Sequence, residues 1–345
     1  MPGVLKKLSA HDFLELSASV PVVDVRSPGE YAYGHIPCAM NIPLFDDSQR
    51  AEVGIIYKKE GNARAVIRGI DLAAPDISGK LERAISLAAQ NALLTYCWRG
   101  GMRSEAMAWL FSLGGITPLL LEGGYKNYRN YILNDLGRQR NFIILGGLTG
   151  SGKTHILRHM KSSGTAVTDL EGLASHKGSA FGALGLPPQP SSEHFANLLY
   201  DDLSGKRDTD PIWLEDESRN IGTVFMPDNF YSLMQSAPVI ALMMSIETRL
   251  PRLMQEYASF PAEQIRASVM KISKRLGGDR THKAIEGLAK GDYATAIRIT
   301  LEYYDKSYHY CLSKRAAGQV IYIETDTDDV ALNAARVKNA AENLR

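Results

Sequence analysis

Cys97 stands in the octapeptide Cys97-Trp-Arg-Gly-Gly-Met-Arg-Ser104, a setting that the other two cysteines, Cys38 and Cys311, lack. The apolar run before it, residues 92–96, reads as a buried strand, and residues 104–111 have helical spacing. The cysteine is therefore expected at the end of a strand, entering a glycine-containing loop that opens a helix. Such a loop turns backbone N–H groups inward and sets the positive end of a helix dipole beside the sulfur. Arg99 and Arg103 add formal charge, and Gly100, Gly101 and Ser104 complete a candidate anion loop. A thiol in these surroundings is a nucleophile at neutral pH. Most lone cysteines are inert core residues, and that is the reading for Cys38 and Cys311.

Residues 147–154 read Gly-Leu-Thr-Gly-Ser-Gly-Lys-Thr. This is G-x4-G-K-[ST], preceded by the strand candidate 141–145 and followed by the helix candidate 155–161. Gly147, Gly150, Ser151 and Gly152 let backbone N–H groups wrap phosphate oxygens. Lys153 reaches the terminal phosphate and Thr154 can ligate Mg²⁺. The pattern points strongly to phosphate and is silent on which phosphate. A second apolar run, 212–214, ends in Glu215 and Asp216, as expected of a strand whose carboxylate assists the metal of a P-loop. Asp169 opens a Gly-rich polar stretch, 169–182, without helical or strand period, and is a third acidic candidate. Three cysteines far apart exclude a disulfide framework and any Cys-x-x-Cys metal centre, so no structural metal site is expected.

These residues need strands to hold them. Strand candidates at 20–25, 39–43, 92–96 and 117–121 alternate with helical spacing at 81–90 and 104–111. That alternation implies an α/β fold with a parallel sheet, in which ligands gather at the carboxyl ends of the strands. A chain of 345 residues suggests two domains. They are expected at 1–130 and 141–345, joined by a helical connector over 131–140, the second domain being P-loop-like with a helical C-terminal part. The proline-rich stretch 183–193 reads as an irregular segment within the second domain.

With 45% apolar and 22% charged residues the chain is globular. Its net charge is +1, from 39 basic and 38 acidic residues, and both halves are close to neutral, so bulk charge gives no argument for nucleic acid. A basic stripe can still occur locally. Lys126, Arg129, Arg138 and Arg140 face the single acid Asp135 in residues 126–140, and residues 261–290, which contain Lys274 and Arg275, hold seven basic residues against three acidic ones. A solvated helix face is the default reading of the latter, a phosphate-backbone surface the alternative. Tyr303, Tyr304, Tyr308 and Tyr310 suit helix packing first and base stacking second. The opening residues lack the apolar core of a signal peptide, and the longest apolar stretch, 238–246, is too short to span a bilayer. A soluble cytoplasmic protein with reduced thiols and no membrane partner is expected.

Asp24-Val-Arg-Ser-Pro-Gly-Glu-Tyr31, Gly34-His-Ile-Pro37, the Cys97 loop and Leu121-Glu-Gly-Gly-Tyr125 resemble successive landmarks of a rhodanese domain. In that family the loop cysteine carries a persulfide. Two features depart from it: Cys38 stands where Gly or Ala is usual, and the loop runs Cys-x5-Arg, one residue longer than in most sulfurtransferases. The longer loop resembles dual-specificity phosphatases, and would suit a phosphate-shaped ligand, a bulkier chalcogen or a selenophosphate-like donor.

Taken in order, these landmarks with the P-loop, Asp169-Leu-Glu-Gly-Leu-Ala174, His176-Lys-Gly-Ser-Ala-Phe-Gly182 and Leu214-Glu-Asp-Glu-Ser-Arg-Asn-Ile-Gly222 resemble the tRNA 2-selenouridine synthase family over nearly the whole chain. The resemblance implies a transferase acting on 2-thiouridine at the wobble position (U34) of tRNAs for Lys, Glu and Gln. Geranyl diphosphate would alkylate the sulfur, and selenium from selenophosphate would then replace it, with Cys97 as the S-selanylcysteine carrier. It also implies transient contact with a selenophosphate-producing enzyme. Two other classes fit the motifs: a nucleotide-dependent sulfurtransferase or kinase fusion, and a non-catalytic rhodanese-type module that senses anions.

Overall fold

The computed structural model describes residues 5–257 and 259–343, so the first four residues of the opening stretch lie outside the described residues. The chain divides into two compact units, Met1–Asp135 and Leu136–Arg345. Each is an α/β unit built on its own parallel sheet of five strands.

In the first unit the strands are β1 (Lys6–Leu8), β2 (Val22–Asp24), β3 (Met40–Asn41), β4 (Ala92–Tyr96) and β5 (Thr117–Leu121). They stand in the order β1-β5-β4-β2-β3, and every pairing is parallel. Parallel neighbours require crossovers, supplied here by helices such as Met102–Leu113 between β4 and β5. The central strand β4 is buried on both faces, which is why its sequence is a continuous apolar run rather than an alternating one. Leu93 packs there with Val23, Val25, Ile42, Met107 and Phe111. Full burial of a side chain of the size of Phe111 stabilises the fold by about 1.5–3 kcal/mol.

In the second unit β6 (Phe142–Gly147), β7 (Val167–Thr168) and β8 (Ile212–Glu215) are followed by the two-stranded antiparallel pair β9 (Asn220–Ile221) and β10 (Val224–Phe225), then by β11 (Val239–Met244) and β12 (Val320–Thr325). The large sheet runs β12-β11-β6-β8-β7, all parallel. The apolar stretch around residue 240 is therefore a sheet strand, β11, next to the strand that feeds the P-loop. Helices Ile246–Tyr257, Ala262–Lys271, Gly278–Ala289 and Tyr293–Leu312 form the helical part, with an apolar core of their own.

Two elements differ from expectation. The connector is helical only as far as the end of helix Gly124–Leu136, because Gly137 follows and residues 137–140 leave the helix. The Gly-rich stretch 169–182 does contain a helix, Leu170–Ala174, capped by the Asp169 carboxylate on the Gly172 N–H at 2.7 Å. Among the described residues no helix is long and apolar enough to cross a membrane.

Candidate functional site

Cys97 follows β4 directly, as its sequence requires, and is only 3% exposed. Its Sγ lies 3.2 Å from Ser104 Oγ, and Ser104 Oγ in turn donates to the Gly101 carbonyl at 2.9 Å. The loop is hooked from the other side by the start of helix Gly124–Leu136: the Tyr125 N–H donates to the Cys97 carbonyl at 2.8 Å, and the Lys126 N–H to that of Trp98 at 3.0 Å. Gly124 has φ +62, and a Cβ there would come within 2.4 Å of both the Cys97 carbonyl oxygen and the Gly100 nitrogen. The two loops interlock, so the Glu-Gly-Gly-Tyr segment is part of the cysteine site.

The arginines of the loop have separate roles. Arg103 Nη1 donates to Glu30 Oε2 at 2.7 Å, tying the loop to helix Pro28–Tyr33. Burial alone would raise the Glu30 carboxyl, but the hydrogen bonds and charge of Arg103 hold it below the usual carboxylate range. Arg103 is thus paired with Glu30 and half-buried, while Arg99 is exposed to solvent. Beneath the loop the buried pair Asp24–Arg26, at 2.6 Å, sets its guanidinium 3.8 Å from the Tyr125 ring centroid. The other two cysteines are exposed, contrary to the core reading. Cys38 occupies the positive-φ corner of a turn at φ 64, and Cys311 lines the P-loop cleft.

The P-loop leaves the carboxyl end of β6 and enters helix Lys153–Ser162. Gly152 has φ +81, and a Cβ on it would come within 1.8 Å of Arg252 Nη1. The Arg252 guanidinium therefore lies against the loop itself. Its Nη2 donates to the Asp328 carbonyl at 2.7 Å, whereas the buried Nη1 makes no hydrogen bond among the described residues. A buried donor with no acceptor is costly unless an anion supplies one. Lys153 Nζ donates to the Gly147 carbonyl at 2.8 Å, and Thr154 Oγ1 donates to Glu171 Oε2 at 2.8 Å. Ser151 is buried within the loop and Gly150 packs on Leu253.

Besides Asp216 and Glu256, the carboxylates that line the cleft are Glu171, which the sequence did not single out, and Glu217, which directly follows Glu215 and Asp216. Burial pushes both above the usual carboxylate range; for Glu217 the charge of Glu171 adds to it, while Lys153 and Thr154 favour the Glu171 anion. The three acids chosen from the sequence are otherwise engaged. Asp216 pairs with Arg315 at 2.8 Å and accepts from Tyr308 at 2.9 Å, while Tyr308 accepts the Gly147 N–H at 2.8 Å. Asp169 is the helix cap described above and lies 3.8 Å from Arg158. Glu215 is fully buried, accepts the Leu170 N–H at 3.1 Å, and is pushed up to about 8 by burial and then by the charges of Asp169 and Glu171. These three acids hold the scaffold of the site.

The P-loop borders a cleft of about 890 Å³. Lys153, Arg158, Lys177, Arg252 and Arg275 supply positive charge, and Phe181, Leu253, Tyr257, Tyr303 and Tyr304 form an apolar, largely aromatic wall. Phe181 and Tyr257 stack with ring centroids 5.0 Å apart. Of the basic residues proposed to meet nucleic acid, Lys126, Lys274 and Arg275 are exposed and Arg129 is half-buried. Arg138 is exposed and pairs with Asp208 at 2.9 Å, and Arg140 is only 4% exposed beside the same carboxylate. Arg140 is an interior residue, not a surface contact. No cluster of three or more His, Cys, Asp or Glu side chains among the described residues could hold a metal ion by itself.

Comparison with known proteins agrees with both halves of this geometry. The model of the rhodanese-like domain matches residues 9–131, and that of the tRNA 2-selenouridine synthase AAA domain matches residues 140–340. A tRNA 2-selenouridine synthase of Bordetella petrii is 36% identical over 84% of this chain and 86% of its own length. One from a Sulfurovum species is 33% identical over 87% and 90%, and one from Psychromonas ingrahamii 31% over 86% and 89%. Two independent domain matches in the observed order, and relatives that span both of them, establish that the chain belongs to the tRNA 2-selenouridine synthase family.

Proposed function

We propose that this protein converts 2-thiouridine to 2-selenouridine at the wobble position of tRNA, in two chemical steps served by its two sites. The observation that carries the reading is the P-loop cleft, where a phosphate cradle opens directly onto an aromatic wall. A cleft of that composition suits a diphosphate bearing a hydrocarbon group, here geranyl diphosphate.

In the first step the thiocarbonyl sulfur forms a bond to C1 of the geranyl group as the C1–O bond breaks and diphosphate leaves. Alkylation turns the N3–H of the base into an imine nitrogen, so a proton must depart. Lys153, Arg252 and the loop N–H groups stabilise the charge that grows on the leaving diphosphate. Thr154 and Glu171 are the residues that would hold Mg²⁺ together with phosphate oxygens; the ion would supply further charge neutralisation.

In the second step selenium replaces the alkylated sulfur, which now departs as a thiol. Selenophosphate and water yield selenouridine, geranylthiol and phosphate overall. Selenium stays at the selenide level throughout: it attacks C2 while still bound to phosphorus, geranylthiol leaves, and water then cleaves the Se–P bond. Cys97, with Arg99 and the loop N–H groups, receives the anionic donor for this displacement. An enzyme that produces selenophosphate is the transient partner this step requires. The wobble base leaves the anticodon stack to reach either site.

The test is mass spectrometry of 2-thiouridine tRNA incubated with the protein, geranyl diphosphate and selenophosphate. Geranylated and then selenated nucleoside is expected. Lys153→Ala should block the first product yet accept chemically prepared S-geranyl tRNA for selenation. Turnover of a nucleoside triphosphate without tRNA, and no geranylated product, would refute the reading.

A further inference from the structure

The helices Asp47–Glu60 and Asn62–Ala73 stand between β3 and β4 and take no part in either step described above. Helix Asn62–Ala73 is turned inside out. The residues it buries, Ala65, Gly69 and Ala73, are all small, and a Cβ on Gly69 would come within 3.0 Å of the Phe45 ring. On its other face Val66, Ile67 and Ile70 are 39%, 54% and 63% exposed. Ile55 of the adjoining helix is 53% exposed and lies one turn beyond Glu52, which accepts from Arg68 at 2.6 Å. The four side chains leave roughly 400 Å² of aliphatic surface in water, a patch of the size that marks interaction sites on monomers.

This helix pair is tied to the Cys97 loop. The Asp47 carboxylate accepts the Gly29 N–H at 2.9 Å, and Arg50 Nε lies 3.6 Å from Glu30 Oε2, the oxygen that Arg103 also holds. Gln49 Nε2 donates to the Leu72 carbonyl at 3.3 Å, which brings the Ile70 end of the stripe level with that contact. We infer that the stripe docks the protein that supplies the selenium donor, so that the donor passes to the Cys97 loop at short range. The inference rests on the proposed entry of an anionic selenium donor at that loop. Aliphatic side chains offer an RNA base no ring to stack on, so the occupant is a protein. Lys58, Lys59 and Arg64 stand one turn from Ile55 and Ile67, are exposed, and make no ion pair among the described residues. Against them stand Glu60 and Asp71, so the complementary surface is an apolar centre with a mainly acidic rim. The patch is about half of the ~800 Å² that one side gives to a standard interface, which suits a transient partner rather than a permanent second copy. A donor whose Se–P bond is open to water gains from a short transfer.

The experiment is calorimetric titration of the full-length protein with a purified selenophosphate-producing enzyme, paired with selenation of S-geranyl tRNA under two donor supplies. The wild type should bind the enzyme, and Ile67→Glu or Ile70→Glu should weaken binding at least about tenfold. With donor made in situ at limiting concentration, both variants should selenate at least about fivefold more slowly than the wild type. With chemically prepared selenophosphate in excess their rates should equal the wild-type rate, because the stripe touches neither the loop nor the tRNA. Ile67→Ser removes the apolar contact without adding charge and decides the matter if a glutamate variant does not fold.

No heat of binding with the wild type, or equal binding by the variants, would overturn the docking surface. So would an equal loss of rate under both donor supplies, which would give the stripe to tRNA or to the site itself. Sedimentation showing a wild-type dimer that the glutamate variants break would assign the stripe to a second copy, and binding to anionic vesicles lost in the same variants would assign it to a lipid surface. Failure of the wild type to selenate with excess donor would strike the proposed use of the Cys97 loop, a result separate from the binding titration.

Discussion

The Thr154 hydroxyl donates to Glu171 Oε2 across 2.8 Å, so the P-loop threonine is matched to a glutamate 17 residues further on rather than to an acid at the end of β8. Glu171→Gln keeps a hydrogen-bond acceptor but removes the charge. Geranylation should slow at least about tenfold, or about 1.4 kcal/mol in the barrier, and should lose its response to Mg²⁺. Initial rates measured across a Mg²⁺ series check this; an undiminished rate would show that Glu171 only shapes the loop.

Glu215 gives a pH dependence of stability with a definite sign. Its native value is raised from 4.5 to about 8, so between those limits the folded protein keeps a proton that the unfolded chain has released. The folded state binding more protons means that stability falls as pH rises through this window, by roughly 1.4 kcal/mol per unit for the one group. Glu215→Gln, which cannot ionise, should therefore gain on the wild type in melting temperature as pH goes from 5 to 8. A constant difference over that range would mean that the carboxyl titrates normally.

How much of this was legible beforehand depended on where side chains point. The run 92–96 and the Gly-Lys-Thr signature gave β4, β6 and the loops that leave them, because both faces of a parallel strand and the glycines of an anion loop leave a mark on composition. Helix Asp47–Glu60 left none: it has no buried side chain, and its neighbour Asn62–Ala73 buries only Ala65, Gly69 and Ala73. The second does carry an apolar stripe, but Val66, Ile67 and Ile70 on it are exposed, so it marks no core. Glu171 and Arg252 were hidden for another reason. Their roles come from tertiary proximity to Thr154 and Gly152, and nothing in their own neighbourhoods announces it. Arg140 misled because a charged residue at a segment end reads as exposed, whereas here Asp208 allows it to be buried.

The cysteines should separate the two steps. Cys97→Ser should abolish selenium incorporation and leave geranylation intact, measured on the same tRNA by nucleoside mass spectrometry; selenation by the serine variant would remove Cys97 from the pathway. Cys38→Ala and Cys311→Ala should retain both steps. Cys38→Gly should also raise stability by up to about 1 kcal/mol, since it relieves a side chain held at φ 64. Thermal melts of the two Cys38 variants check that gain.

Lys274 and Arg275 are exposed, and Arg275 reaches the rim of the P-loop cleft. Reversing both to Glu should weaken binding of all substrate tRNAs alike. The plot of log affinity against log salt should become shallower by roughly 0.7–0.9 for each tRNA phosphate that the variant no longer neutralises. Fluorescence titration from low to moderate salt gives the slope. Unchanged slopes would direct attention away from this helical face.

Arg249 donates to the Met244 carbonyl at the end of β11, to the Thr149 carbonyl in the P-loop and to both oxygens of Asp305, all from a side chain 1% exposed. One guanidinium thus rivets the sheet, the cradle and the long helix Tyr293–Leu312 into a single fixed jaw. The opposite jaw, around Phe181, is moored to that helix by the Ala180 N–H donating to the Tyr304 hydroxyl at 2.9 Å. Any widening of the cleft on the Phe181 side has to break this bond, so hydrogen exchange at the Ala180 amide is where such an opening would be heard.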